Sequence, residues 1–147
     1  MSPSEQLPPL SEELRQRLTS SGYFQLIGLH IDHAQEGQCT VRIQVNEHLQ
    51  HYQKIVHGGV IFTLADTAMS LALLSALPSE MLISTIEAKI NYLRPVRAGE
   101  LIAEANIIHK GRTTAVLESS VYNINGVERK DIARALGTFN IQTLKVS

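Results

Sequence analysis

The alternation of apolar and polar residues predicts a β-rich fold built around one buried helix. Every second residue of the segment 39–45 is apolar and the residues between are polar, which is the period of a strand with one face in the core. The segment 85–92 alternates in the same way. By contrast, the segment 58–77 is apolar on nearly every side, as is typical of a buried helix. We expect Pro78 to end this helix.

Turn signals complete the order of the predicted elements. Two further strands are predicted on either side of Gly111, and the dipeptide Asn125-Gly126 favours a two-residue hairpin turn before a last strand. Gly137 lies in that last strand and is expected to form a bulge. Tight turns join antiparallel neighbours. The order of two strands, one long helix and four strands therefore predicts an α+β fold, in which an antiparallel sheet wraps around one long central helix.

The first 21 residues are interpreted separately from the rest of the chain. Residues 1–9 contain three prolines, and Ser11 is suited to cap a short helix that follows it. Residues 1–21 are therefore predicted to be an N-terminal lead-in with a short helix. Residues 22–147 are predicted to form a single domain, which is long enough for a full core.

The composition argues against several classes of protein. The net charge is −1 and aromatic residues make up 5%, so the chain lacks the basic field and the stacking platforms of nucleic-acid-binding proteins. Cys39 is the only cysteine, which favours a reducing compartment. The N-terminus lacks the pattern of a signal peptide, and polar residues interrupt the apolar helix, which argues against a membrane span. We expect a cytoplasmic protein without nucleic-acid or membrane partners.

The predicted buried helix begins with His57-Gly58-Gly59 and carries a carboxylate, Asp66, in its middle. Free amides at a helix N-terminus bind anions, and glycine lets a ligand approach the backbone. A buried carboxylate is costly unless it is paired or functional. The segment therefore supplies a donor suited to an oxyanion and a candidate nucleophile or general base. Alternatively, the carboxylate is structural: either it makes an interface contact, or it is satisfied by a polar stripe at helical spacing, which consists of Thr63, Thr67 and Ser70.

These motifs carry a resemblance to a known family. Most of the chain resembles the hotdog-fold acyl-CoA thioesterases of the phenylacetate-pathway type, in the 4-hydroxybenzoyl-CoA thioesterase-like superfamily. The resemblance rests on His57-Gly58-Gly59 and on the segments 64–68, 90–95 and 109–113. It implies a hotdog domain over residues 22–147 that hydrolyses an acyl-CoA to the free acid and CoA. No cofactor is implied, since CoA is part of the substrate.

The resemblance also implies roles for individual residues. Gly58 N–H polarises the thioester carbonyl, and Asp66 acts as nucleophile or general base. His57 binds the substrate carbonyl or orients the loop, or alternatively is a hydrogen-bonded capping histidine. His51 stands where relatives usually carry an asparagine that positions water or substrate. Thr85 aligns with a serine on the strand after the helix, although alternation places it on the polar face of that strand. The implied substrate-binding residues are Gly59, Thr67, Arg94, Lys110, Gly111 and Arg112.

Helix geometry predicts that one subunit cannot complete such a site. Gly58 and Asp66 are eight residues apart, or about 12 Å along a helix, whereas an oxyanion donor and a base must each lie within about 3 Å of the reacting group. A two-fold dimer can place Gly58 of one subunit opposite Asp66 of the other. The resemblance implies the same homodimer as the minimal active unit, with dimers often pairing into homotetramers.

Two other functions stay open from the sequence. One is hydration or dehydration of an acyl thioester on the same fold, with His57 and Asp66 as an acid and base pair. The other is a non-catalytic module that binds or senses acyl-CoA. The six histidines lack the spacing of a zinc site and Cys39 is isolated, so no metal is expected. No motif specifies the acyl group.

Overall fold

The computed structural model describes residues 10–78 and 81–143, and over these ranges the elements follow the predicted order. The helices are α1 (Glu12–Thr19), α2 (Gly22–Ile27) and α3 (Gly58–Leu74), with a 3₁₀ turn at Glu47–Leu49. The strands are β1 (His30–Gln35), β2 (Gln38–Gln44), β3 (Met81–Tyr92), β4 (Glu100–Lys110), β5 (Thr114–Asn125) and β6 (Glu128–Thr143).

The strands form one sheet in the order β1-β2-β4-β5-β6-β3, and every neighbouring pair is antiparallel. Although β3 follows the long helix in the chain, it lies at one edge of the sheet and pairs with β6. α3 packs across one face and contacts all six strands. The predicted α+β architecture, an antiparallel sheet wrapped around one long central helix, is therefore confirmed.

The core between sheet and helix consists of the apolar positions that periodicity predicts. In β2, Cys39, Val41 and Ile43 are buried, whereas the residues between them are exposed or half-buried. Leu64 and Leu73 of α3 have no exposed surface. The all-round apolar character of the helix thus reflects its position between the strands and their loops.

α3 ends at Leu74, four residues before Pro78. The hydroxyl of Ser75 donates to the Ala72 carbonyl (2.7 Å) and accepts from the Gly37 amide (2.9 Å). Because Ser75 is buried, these bonds tie the C-terminus of the helix to the β1–β2 turn. They terminate the helix before the proline does, which corrects the predicted helix end.

A β-bulge in β3 changes the direction in which its residues face. The pairing with β6 shifts between Thr85 and Glu87, so Ile86 is the extra residue, and it is 57% exposed. Thr85 consequently lies on the face towards α3, where its hydroxyl contacts Asp66. The prediction that Thr85 lies on the polar face is therefore wrong, because one extra residue shifts the alternation along the strand.

Gly137 forms no bulge, contrary to the prediction. It pairs in regular register with Leu117 and Ala88. A Cβ at Gly137 would lie 3.1 Å from Cε of Met69, so the missing side chain lets α3 pack closely on β6. The irregularity in the pairing of β6 with β5 lies instead at Ile132.

α1 begins where the sequence predicts and lies against the sheet. The hydroxyl of Ser11 accepts from the Leu14 amide (3.1 Å), and Nη1 of Arg15 donates to the Ile31 carbonyl of β1 (2.9 Å). The predicted lead-in over residues 1–9 lies outside the described residues, and the division after residue 21 stays a prediction. Within the described ranges, no helix has both the length and the apolar character needed to cross a membrane.

Candidate active site

The N-terminus of α3 carries one capped amide and one free amide. His57 is the N-cap residue, and its Nδ1 accepts a hydrogen bond from the Gly59 amide (2.8 Å). Because Nδ1 is the acceptor, the proton of the neutral ring is on Nε2. The Gly58 amide has no hydrogen-bond partner among residues 10–78 and 81–143. It is therefore a free donor at the positive end of the helix.

The two glycines of this terminus differ in what the fold requires of them. Neither has a positive φ angle, so the backbone conformation demands neither. A Cβ at Gly59 would lie 2.9 Å from Nδ1 of His57 and would disturb the cap. A Cβ at Gly58 would lie 3.4 Å from the Tyr92 ring, which is an ordinary contact. The N-cap bond of His57 therefore accounts for the glycine at position 59. At position 58 the fold has room for a side chain, and a glycine there lowers the stability of the helix.

Asp66 lies two turns further along α3 and is half-buried. Its Oδ1 accepts a hydrogen bond from the Thr85 hydroxyl (2.7 Å). The side chains of the predicted polar stripe do not bind the Asp66 carboxylate. The Thr63 hydroxyl forms a hydrogen bond with the Tyr23 hydroxyl instead (2.7 Å). The Ser70 hydroxyl donates to the backbone carbonyl of Asp66 (2.9 Å) and not to its carboxylate. Among the described residues, the Thr85 hydroxyl is therefore the only hydrogen-bond donor to the Asp66 carboxylate.

The donor and the carboxylate are separated within one protomer. Gly58 contacts Tyr92 at the end of β3, whereas Asp66 contacts Thr85, which lies seven residues earlier in that strand. Along the helix the two groups are about 12 Å apart. One protomer therefore does not bring both groups to a single carbonyl.

His51 lies in the turn that precedes α3 and is held by the backbone of that turn. Its Nδ1 accepts from the Gln53 amide (3.0 Å), and its own amide donates to the Ile55 carbonyl (2.9 Å). The ring therefore keeps Nε2 for a ligand. Among the described residues, His51 has no hydrogen bond to Gly58 or Asp66.

The predicted substrate-binding cations lie at opposite ends of the sheet. Nη1 of Arg94 donates to the Asp131 carbonyl (2.9 Å), just beyond the end of β3 that contacts Gly58. Lys110 lies at the end of β4, in a row of paired residues that crosses β5 and β6 to Thr85. It is therefore at the end of the sheet that holds the carboxylate.

The remaining predicted substrate-binding residues differ in accessibility. Gly111 closes the β4–β5 turn by donating from its amide to the Thr114 carbonyl (2.8 Å), and Arg112 is exposed in that turn. Gly59 gives its amide to the N-cap. Thr67 is 8% exposed. In one protomer, Arg112 is free to meet a ligand, whereas Thr67 is not.

Tyr92 lies beside the Gly58 amide, although the segment 90–95 that contains it does not predict a contact with Gly58. Its hydroxyl donates to the Gly58 carbonyl (3.0 Å), and its ring lies beside Gly58. Alternation along the strand predicts that Tyr92 shares a face with the core residues of β3. It does not predict which residue of the helix it meets, because the two are 34 positions apart in the chain.

The described residues contain no group of three or more histidine, cysteine or acidic side chains that could hold a metal ion. Cys39 is 2% exposed, and burial raises the pKa of its thiol to about 12. A thiol with such a pKa is not ionised near neutral pH. Cys39 is therefore a core residue and not a nucleophile.

Sequence comparisons connect the chain to a known family. Residues 53–130 match the thioesterase superfamily. A putative esterase of Halobacterium salinarum is 35% identical over 128 residues, which cover 82% of this chain and 84% of the relative. The acyl-coenzyme A thioesterase PaaI of Escherichia coli is 33% identical over 99 residues, which cover 66% of this chain and 68% of that relative.

Solved structures share the fold. The E. coli PaaI protein superposes with a TM-score of 0.78 and 26% identity, over 90% of this chain and 91% of its own. A hypothetical thioesterase from Streptococcus pneumoniae, solved with coenzyme A, gives a TM-score of 0.70 and 25% identity, over 80% and 88% of the two chains. The chain therefore belongs to the thioesterase superfamily and is a thioester hydrolase of the hotdog fold.

Proposed function

We propose that the protein hydrolyses an acyl-CoA to the free acid and CoA at a site formed by Gly58 and Asp66. This proposal rests on the free amide of Gly58. The packing of the fold does not require a glycine at this position, and no group among the described residues accepts a hydrogen bond from its amide. An amide at a helix N-terminus stabilises the oxyanion that forms when a thioester carbonyl is attacked. The departing thiolate has the pKa of an ordinary thiol, about 8.5, so the reaction needs no strong general acid.

Asp66 supplies the general base or the nucleophile. As a base, its carboxylate takes a proton from water while the water oxygen bonds to the carbonyl carbon. The C–S bond then breaks and the proton passes to the thiolate. As a nucleophile, the carboxylate attacks the carbonyl itself and expels the CoA thiolate, which forms an anhydride. Water then opens the anhydride, which releases the acid, restores the carboxylate and supplies the proton that the thiolate takes up. The Thr85 hydroxyl holds Oδ1 (2.7 Å), which orients the carboxylate and leaves Oδ2 for either route.

A two-fold homodimer is proposed as the minimal active unit, because one helix holds the two groups about 12 Å apart. β3 supports this proposal, since it is an edge strand whose Leu82 and Ile86 are 50% and 57% exposed. Long apolar edge strands are normally covered. Symmetric pairing of two copies along β3 would cover it and set Gly58 of one subunit opposite Asp66 of the other. A homotetramer of such dimers is proposed from the resemblance to the family.

The same pairing would bring the two groups of cations to one substrate. Arg94 lies at the Gly58 end of the sheet, and Lys110 and Arg112 lie at the Asp66 end. Joining these two ends around one thioester places cations on both sides of a bound CoA, whose phosphates they would meet. The coenzyme A bound by the S. pneumoniae thioesterase supports this choice of ligand.

Histidine side chains are proposed to assist the reaction. His57 holds the Gly59 amide, and its Nε2–H is available to donate to the thioester carbonyl. His51 would use its free Nε2 to position water, in place of the asparagine of its relatives. Gly59 and Thr67 are proposed as substrate contacts from the resemblance to the family. In one protomer the Gly59 amide is engaged by the N-cap and Thr67 is buried.

The hydrogen bonds of His57 disfavour a hydratase or dehydratase. That chemistry needs a paired acid and base at neighbouring carbon atoms. The acceptor nitrogen of His57 is already occupied by the Gly59 amide, so the neutral ring has no free lone pair with which to act as a base. A non-catalytic acyl-CoA-binding module would leave the free Gly58 amide and the Asp66 carboxylate without a use. A cytoplasmic location stays a prediction.

The test is hydrolysis of a panel of aromatic and aliphatic acyl-CoA esters, with a thiol reagent reporting the released CoA. We expect the wild type to hydrolyse at least one ester, and Asp66→Asn to lose at least about 100-fold in kcat with an unchanged Tm. Asp32→Asn is the matched control, since Asp32 is an exposed carboxylate that pairs with Arg42 (3.0 Å). Wild-type turnover by Asp66→Asn would exclude a catalytic role for this residue. Binding of the esters without turnover by the wild type would support the non-catalytic alternative.

A further inference from the structure

The first turn of α3 is intrinsically the weakest part of the helix that carries the proposed oxyanion donor. Gly58 and Gly59 occupy its first two positions. Glycine is a poor helix former because its backbone loses the most freedom on folding, and terminal turns lack part of their intrahelical hydrogen bonds. A donor stabilises an oxyanion effectively only if it is already held where the charge develops. This turn therefore needs support from outside the helix.

Two side chains supply support, one on each side of Gly58. The imidazole of His57 caps the Gly59 amide (2.8 Å), which is a bond within the helix terminus itself. The hydroxyl of Tyr92 reaches from β3 and donates to the Gly58 carbonyl (3.0 Å). The second bond ties the turn to the sheet, so it fixes the position of Gly58 relative to the rest of the domain.

The ring of Tyr92 adds a steric constraint to the hydrogen bond. Its Cζ and Cε1 would lie 3.4 and 3.5 Å from a Cβ at Gly58, so the ring covers that side of the residue. Tyr92 is nevertheless 50% exposed in one protomer. The ring therefore forms one wall beside the Gly58 amide, next to the position where a thioester would bind.

We propose that Tyr92 is a positioning residue of the thioesterase reaction: its hydroxyl holds the Gly58 carbonyl and thereby keeps the Gly58 amide directed at the oxyanion. The inference rests on the proposed function, because it requires Gly58 to be the oxyanion donor. Tyr92 acts through Gly58 and does not touch the reacting atoms. Since the oxyanion exists only beyond the ground state, loss of the hydroxyl lowers kcat and leaves KM near its wild-type value.

Tyr92→Phe tests this role, because it removes the hydroxyl and keeps the ring. We expect kcat to fall about fivefold, the scale of one hydrogen bond, with KM within about twofold. The factor should be the same for every acyl-CoA ester, since the thioester carbonyl is common to all of them. Tyr122→Phe is the matched control: it removes a hydroxyl that also donates at 3.0 Å, to Oε1 of Glu104, and it should leave kcat unchanged. The Tm of both variants shows that they are folded.

A second measurement separates this inference from the proposed function. In a Gly58→Ala background, Tyr92→Phe should have no further effect, because the donor through which Tyr92 acts is already obstructed. Wild-type kcat in Gly58→Ala alone would overturn the proposed donor. The positioning role is overturned, with the donor intact, if Gly58→Ala is impaired but Tyr92→Phe lowers kcat by the same factor in both backgrounds. It is also overturned if Tyr92→Phe changes KM instead of kcat, or changes neither.

Discussion

Replacing Gly58 by alanine separates the requirements of the fold from those of the reaction. The residue is the first of α3, its φ angle is not positive, and a Cβ would lie 3.4 Å from the Tyr92 ring. Alanine at a compatible glycine position stabilises a protein by about 0.4–1 kcal/mol. We therefore expect the free energy of unfolding of Gly58→Ala to equal that of the wild type or to exceed it by up to about 1 kcal/mol.

The added methyl group lies next to the amide that is proposed to bind the thioester oxygen. Removing one donor from an oxyanion hole lowers kcat by about 10²–10³, which is the loss expected if the methyl group keeps the carbonyl from Gly58. The variant should thus be at least as stable as the wild type and far less active. A glycine with a purely structural role would instead lose stability and activity together.

Gly59→Ala is the matched control for stability. Its Cβ would lie 2.9 Å from Nδ1 of His57, so the cap has to move, and loss of an N-cap costs about 1 kcal/mol. Chemical denaturation gives the free energies of unfolding, and release of CoA gives kcat. A stable and fully active Gly58→Ala would refute the assignment of this amide, and an unfolded Gly58→Ala would refute the claim that the fold tolerates a side chain there.

Three further predictions follow from the contacts. Thr85→Val should lower kcat about tenfold by removing the hydroxyl that holds Asp66 (2.7 Å), whereas Thr85→Ser should keep most of the activity in the same assay. Because burial raises the pKa of Cys39 to about 12, the native protein should not react with a thiol reagent at pH 8, and the protein unfolded in guanidinium should show one reactive thiol. Gly137→Ala should lower the free energy of unfolding by about 1 kcal/mol or more, measured by denaturation, because its Cβ would lie 3.1 Å from Cε of Met69.

Hydrophobic periodicity predicts the main elements because each of them buries its apolar face over many residues. β2 alternates strictly since one of its faces packs against the helix. α3 is apolar almost all round because it contacts all six strands. The architecture follows from these two patterns and from the short turns between β4, β5 and β6.

The bulge in β3 and the end of α3 depend on contacts between distant segments, so the sequence of one segment alone does not predict them. Ile86 continues the apolar alternation of its strand, yet the bulge against β6 leaves it 57% exposed. The end of α3 depends on the hydrogen bond between Ser75 and Gly37, which are 38 residues apart. In both cases a distant partner overrides the local pattern.

The candidate site shows the same difference between residues that a local motif predicts and residues that depend on distant contacts. Gly58 and Asp66 belong to a local motif, so the sequence predicts them as candidates. The proposed role of Tyr92 depends on a contact with a residue 34 positions away, and the segment 90–95 alone does not predict that contact. The resemblance predicts a role for Thr85, but the direction in which its side chain faces depends on the bulge.

The central claim is that each active site combines Gly58 of one subunit with Asp66 of the other. Gly58→Ala and Asp66→Asn should each be nearly inactive as homodimers. When equal amounts are unfolded, mixed and refolded, about half of the dimers are mixed and each has one intact site of two, so about a quarter of the wild-type activity should return. If mixed dimers form and no activity returns, the two residues act within a single subunit and the claim is contradicted.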